Sequence, residues 1–121
     1  FLAGHDDIWN GWFVLGWGLR KAGHYAEAKD AFIKAQDRGC DTVDLLNELA
    51  VCCIETNDIK KAEKCLKEAL QKEPENSKIM INFGLLCKKK GDMAQAAGFF
   101  RTALEFEPEN HYARKYLDEL E

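Results

Sequence analysis

Apolar and polar residues follow a helical period along this chain, and the pattern itself recurs. Three stretches aligned on Ala28, Ala62 and Ala96 stand 34 residues apart. Seven residues after each alanine comes another (Ala35, Ala69, Ala103), and four after comes a large apolar residue (Phe32, Leu66, Phe100). Three before stand Tyr25, Ile59 and Met93, five before stand the turn formers Gly23, Asn57 and Gly91, and twelve before stand the small residues Gly16, Ala50 and Gly84. Self-similarity at one fixed period of this length marks stacked supersecondary units, each unable to bury its apolar face alone. The pattern predicts two amphipathic helices per unit. The first helices, here called A, run over Ile8–Lys21, Val43–Thr56 and Ser77–Lys89. The second, B, run over Tyr25–Asp37, Ile59–Lys72 and Met93–Phe106.

The residue types have physical reasons. Glycine inside a helix costs about 1 kcal/mol against alanine, so Gly16 and Gly84 imply a close approach of helix B to helix A, met from the other side by Ala28, Ala62 and Ala96. Gly23 and Gly91 sit where helix A must stop. Asp92 with Gln95 three residues on has the form of a capping box, with Asp in place of Ser or Thr. Pro74 and Pro108 end helix B shortly before the N-cap candidates Asn76 and Asn110, and Cys40 stands where the first unit would have its proline.

This spacing resembles the tetratricopeptide repeat (TPR), W-x2-L-G…Y…A-x3-F…P. The first copy shows it in Trp12, Leu15, Gly16, Tyr25, Ala28, Phe32 and Ala35. Departures keep the apolar pattern: Leu46 and Met80 for Trp, and Leu19, Cys53 and Cys87 for Tyr. The units read as 9–42, 43–76 and 77–110. Residues 111–121 form a capping helix, with Tyr112, Tyr116 and Leu120 on one face and Arg114, Asp118 and Glu121 on the other. Residues 1–8 read as a lead-in, the end of an upstream repeat, with Asp6 where that repeat's proline would fall; the chain then reads as the C-terminal end of a longer array. The fold implied is all-α, a right-handed α-solenoid of stacked antiparallel helix pairs.

Composition narrows the classes. The 121 residues suit one domain, and 46% hydrophobic with 31% charged residues excludes a disordered or collagen-like chain. No apolar run reaches about 18 residues, so no membrane span is predicted. The net charge of −4 argues against nucleic acid as a partner. Cys40, Cys52, Cys53, Cys65 and Cys87 are odd in number and lack C-x-x-C spacing, a poor disulfide framework and a poor zinc site. They read as small buried hydrophobes, which favours a reducing, cytoplasmic setting. The vicinal pair Cys52-Cys53 offers a redox alternative, but on one helix the two side chains diverge by about 100°. His5, His24 and His111 fall in or beside predicted turns with no metal-ligand spacing, and neither a G-x-G-x-x-G loop nor a Walker sequence is present. No catalytic residue, metal or cofactor is predicted; the chain reads as a non-catalytic interaction scaffold.

In TPR domains the A helices line a concave groove that holds peptides or partner helices. Helical spacing then assigns Asn10, Phe13, Trp17 and Lys21, with Val14, to the groove from the first helix A. The second gives Asn47 and Val51, with Asp44, Glu48 and Glu55; the third gives Lys78, Ile81, Asn82, Leu85 and Lys89; the cap gives Tyr112 and Lys115, with Tyr116. Phe13, Val14 and Trp17 make the first helix apolar nearly all round, so it expects an occupant on both sides: a ligand, an upstream repeat, or a second copy of the chain through a Phe13/Trp17 surface. Asn47 and Asn82 can offer both donor and acceptor to an extended backbone. Lys88-Lys89-Lys90 could draw an acidic ligand, although cations at a helix C-terminus are favoured anyway. TPR domains that hold chaperone C-terminal tails use a clamp of lysine, asparagine and arginine. At the matching positions stand Phe13, Trp17, Glu48, Lys78 and Asn82; only Lys78 fits, and Glu48 would repel a carboxylate. A chaperone tail is therefore not the expected partner.

Overall fold

A computed structural model describes residues 3–121, with side chains from residue 9 onward. Its described residues form seven α-helices: α1 (Ala3–Lys21), α2 (Tyr25–Asp37), α3 (Val43–Glu55), α4 (Ile59–Lys72), α5 (Ser77–Lys89), α6 (Met93–Phe106) and α7 (His111–Leu120). Consecutive helices pair as α1/α2, α3/α4 and α5/α6, and each pair stacks on the next, with α7 closing the last. The result is an α-solenoid. The first A helix begins at Ala3 rather than Ile8. Residues 3–8, read above as a lead-in, therefore continue α1, as no proline separates them from it. Phe1 and Leu2 lie outside the described residues.

Each A–B turn is built the same way. Gly23, Asn57 and Gly91 have φ of 87°, 63° and 88°. The amide after each returns to the helix: His24 N–H to Leu19 O, Asp58 N–H to Cys53 O and Asp92 N–H to Cys87 O, at 2.8, 2.7 and 2.9 Å. This is the six-to-one closure of a left-handed helix terminator. The B–A junctions differ. Where Pro74 and Pro108 follow α4 and α6, α2 ends instead on Gly39 at φ 102°, with Cys40 N–H bonded to Ala35 O. A glycine terminator thus replaces the missing proline.

Asn76 accepts from the Lys78 and Ile79 amides, Asn110 from Ala113, Thr42 from Leu45 and Asp58 from Lys61. Asp92 accepts from the Gln95 amide, but Gln95 Oε1 accepts from Cys87 Sγ at 3.4 Å instead. The capping box is half formed, because the Asp92 amide that its second arm needs is already bonded to Cys87 O in the A–B turn.

The core runs through the stack as one cluster. Gly16 faces Phe32 so closely that a Cβ would lie 2.8 Å from the ring, and Gly84 meets Phe100 more tightly still. The middle pair has Ala50 and the smaller Leu66 at the same register, both fully buried. Small and large residues are thus matched within each pair. All five cysteines are free and buried among apolar side chains, and burial pushes the Cys52 thiol up to about 12 and those of Cys53 and Cys65 to about 11. Among the described residues no helix is long and apolar enough to cross a membrane.

Candidate peptide groove

The face formed by α3, α5 and α7 encloses an open groove of about 1460 Å³. Its floor comes from apolar side chains of successive A helices: Val51 of α3 and its repeat equivalent Leu85 of α5, with Ile81 one turn before Leu85. Beside them lie Asn47 and Asn82, the two buried polar side chains among the described residues, 7% and 8% exposed. Asn82 Nδ2 donates to Asn47 Oδ1 at 3.2 Å, tying α3 to α5. That bond uses one arm of each amide. The Asn47 Nδ2 and the Asn82 Oδ1 have no further partner in the chain among the described residues and lie on the groove wall. An amide pair in this state offers one donor and one acceptor side by side.

The next seam is different. Arg20 Nε of α1 meets Glu48 Oε1 of α3, with both side chains about three-quarters buried. Burial pushes the Glu48 carboxyl up, against the opposing pull of Arg20. The pair closes the α1 end of the groove, and Tyr25 stands beside it. At the far end Tyr116 stacks on Phe100, with ring centroids 5.4 Å apart, and Tyr112 lies 56% exposed against His111 at 4.2 Å.

Twelve of the residues assigned from sequence line this one groove: Asp44, Asn47, Glu48, Val51, Glu55, Lys78, Ile81, Asn82, Leu85, Lys89, Tyr112 and Tyr116. Asn10, Phe13, Trp17, Lys21 and Lys115 do not, and the reasons are local. Phe13 turns inward, edge-on to Phe32 at 5.7 Å and to Trp9 at 6.4 Å. Trp17 stays at the surface, 43% exposed, with Lys21 Nζ 4.4 Å from its ring centre. Asn10 is exposed on the same solvent side of α1. Among the described side chains of α1 only Arg20, in the last turn, reaches the groove. Lys115 is exposed on α7, away from the groove lining.

Sequence reasoning missed Arg20, Tyr25, Met93, Phe106 and the acids of the B–A junctions. A signal for those acids was present: Glu73-Pro74-Glu75-Asn76 recurs as Glu107-Pro108-Glu109-Asn110 at the repeat period, and both pairs of glutamates line the groove. Glu107 accepts from Ser77 Oγ at 2.6 Å and Asn110 Nδ2 at 2.8 Å, bonds that hold its carboxyl below the usual range. Among the described residues no group of three or more His, Cys, Asp or Glu side chains is placed to hold a metal ion.

Residues 18–120 match the model of the coatomer epsilon subunit family. The chain belongs to that family. Coatomer epsilon subunits are TPR-like, and solved structures similar to this family member include TPR domains. The Arabidopsis OM64 TPR domain superposes with a TM-score of 0.83 at 20% identity, covering 96% of each chain. The second TPR domain of human RPAP3, solved in complex with an HSP70 peptide, gives 0.73 at 24% identity over 87% of this chain and 88% of its own. The Thermobaculum terrenum O-GlcNAc transferase gives 0.85 at 17% identity, over 96% of this chain but 22% of the enzyme. No curated protein matches the chain significantly. The TPR repeat is thus shown by fold and by family together.

Proposed function

We propose that this chain is a non-catalytic scaffold whose groove holds one extended protein segment. The observation that carries the reading is the amide pair: Asn47 and Asn82 are buried, bonded to each other through one arm, and turn their remaining donor and acceptor to the groove. A segment of extended backbone satisfies both at once, and Val51, Ile81 and Leu85 beside them give its side chains an apolar seat. The RPAP3 domain in complex with an HSP70 peptide supports peptide capture in this architecture. A chaperone tail is a poor ligand here, because Glu48 stands where such a tail would place a carboxylate. The test is titration with a panel of labelled peptides followed by anisotropy. Val51→Glu is expected to abolish binding and Asn82→Ala to weaken it by about 1–3 kcal/mol. Binding unchanged by Val51→Glu and by Leu85→Gln, with helical content intact, refutes the groove as the site.

A second reading has its own observation. Val14, Leu15 and Trp17 are 59%, 49% and 43% exposed on α1, a patch of the kind that marks contacts. In this reading α1 packs on another copy of the chain. Light scattering over a tenfold concentration range decides it: a constant monomer mass refutes self-association.

A further inference from the structure

We propose that the groove selects a positively charged segment, apolar at its centre and carrying lysine or arginine toward the edge where α3, α5 and α7 begin. The inference rests on the peptide-groove reading and adds the chemistry of the partner. Seven carboxylates line the groove against four lysine and arginine side chains. They are not spread evenly. At the edge formed by the helix starts and the preceding junctions stand Asp44, Glu73, Glu75, Glu107 and Glu109, with Lys78 the one cation among them.

Two ordinary explanations must be weighed. Acids near helix N-termini are favoured by the helix dipole, and the dipoles in turn offset their charge. Each helix start carries about half an elementary positive charge, so three starts cancel less than half of the four-charge excess at this edge. The acids also serve as turn acceptors: Glu73 accepts from Asn76 and Glu107 from Ser77 and Asn110. Those bonds are to neutral donors and leave the charge in place. Asp44, Glu75 and Glu109 make no hydrogen bond or ion pair through their side chains among the described residues.

A negative edge alone would be a solvated surface. What points to a ligand is the amide pair on the wall beside it, more than nine-tenths buried, with one donor and one acceptor unused. Backbone recognition fixes an extended segment across α3 and α5, and its side chains then reach the edge at alternate positions. Exposed Tyr112 at that edge adds an aromatic face on which a cationic side chain can rest. An acidic segment would meet five like charges there.

The test uses random dodecapeptides in three pools of net charge +4, 0 and −4, titrated against the whole chain by anisotropy at moderate and high salt. The pool at +4 is expected to bind tightest and to weaken with salt. Glu75→Lys/Glu109→Lys, both exposed, is expected to weaken that pool about tenfold. Glu27→Lys/Asp37→Lys on α2 changes the net charge equally away from the groove and is expected to change binding less than twofold. An equal loss in both double variants overturns the proposal, since net charge alone would explain it. Tighter binding of the neutral or acidic pool, abolished by Val51→Glu or Leu85→Gln, overturns the charge preference and leaves the groove reading standing. Binding by none of the pools overturns both.

Discussion

Helices α1 and α5 occupy the same place in their repeats, yet one face of them lives in two different worlds. On α5 that face carries Ile79, Phe83 and Leu86, at 0%, 8% and 2% exposure; α4 of the preceding repeat packs on this helix, and Phe99 of α6 covers Phe83. On α1 the same positions are Gly11, Leu15 and Gly18. Leu15 is 49% exposed, and neither glycine has any atom within 4 Å of where its Cβ would be. In a stack, burial is conferred by the neighbouring repeat and not by the helix that carries the residue. The groove inherits the difference: α3 and α5 have neighbours on both sides and contribute its floor, whereas among the described residues α1 contributes Arg20 alone.

The largest test of this contrast swaps the same position in the two helices. Phe83 stacks on Phe99 with ring centroids 5.1 Å apart, and Phe83→Ala is expected to cost about 3–5 kcal/mol. Leu15→Ala is expected to cost about 0.5 kcal/mol or less, as at other exposed sites. Guanidinium unfolding measures both, and similar losses would show that α1 is covered in solution.

The seams come next. Arg20 and Glu48 join α1 to α3 through charge, while Asn47 and Asn82 join α3 to α5 through neutral amides. Arg20→Met leaves a carboxylate about three-quarters buried without its partner and is expected to cost about 2 kcal/mol, most of it restored by adding Glu48→Leu. The pH dependence has a definite sign. Burial holds the Glu48 carboxyl above its ordinary value, so its stabilising contribution is complete below the unfolded value and is lost as pH rises through the folded one. The stability of the wild type relative to Glu48→Gln should therefore fall between acid and neutral pH. A difference that rises with pH would mean that Arg20 outweighs the burial.

Smaller effects of opposite sign are expected from glycine. Gly84→Ala drives a methyl into Phe100, and the cost of overpacking, about 1–3 kcal/mol, outweighs the helix propensity gained. Gly11→Ala has open space and should stabilise by up to about 1 kcal/mol. Thermal melts of the two variants distinguish a packed glycine from an unpacked one.

What the sequence made legible follows the same line. The B helices and the third A helix were readable to the residue, because turn formers and caps at a fixed period are local signals. Val51, Ile81 and Leu85 were readable as one wall, because Val51 and Leu85 share a register on successive helices and Ile81 lies one turn from Leu85 on the same face. Phe13 was not. It sits near the boundary between the inward and outward faces of α1, and the space left by Gly16 beside Phe32 decides its direction. The Asn47–Asn82 bond crosses a seam between residues 35 apart, which no single-helix period reveals. Arg20 was missed for the same reason, since its partner Glu48 belongs to another repeat.

The last expectation is of no effect, and it asks whether α1 opens by itself. None of the five cysteines lies in α1 or α2, and all are buried. With burial raising the thiols of Cys52, Cys53 and Cys65 to about 11 or above, alkylation at neutral pH requires opening of the stack around them. Fraying of α1 exposes Gly16 and the ring of Phe32 but leaves α3, α4 and α5 packed. Leu15→Ala should therefore change the alkylation rate less than about twofold. Phe83→Ala, acting beside Cys87, should raise it about a hundredfold, the equivalent of roughly 3 kcal/mol. If Leu15→Ala raises it as well, α1 and the thiol-bearing helices open as one unit, and the contrast in burial between α1 and α5 does not extend to how they unfold.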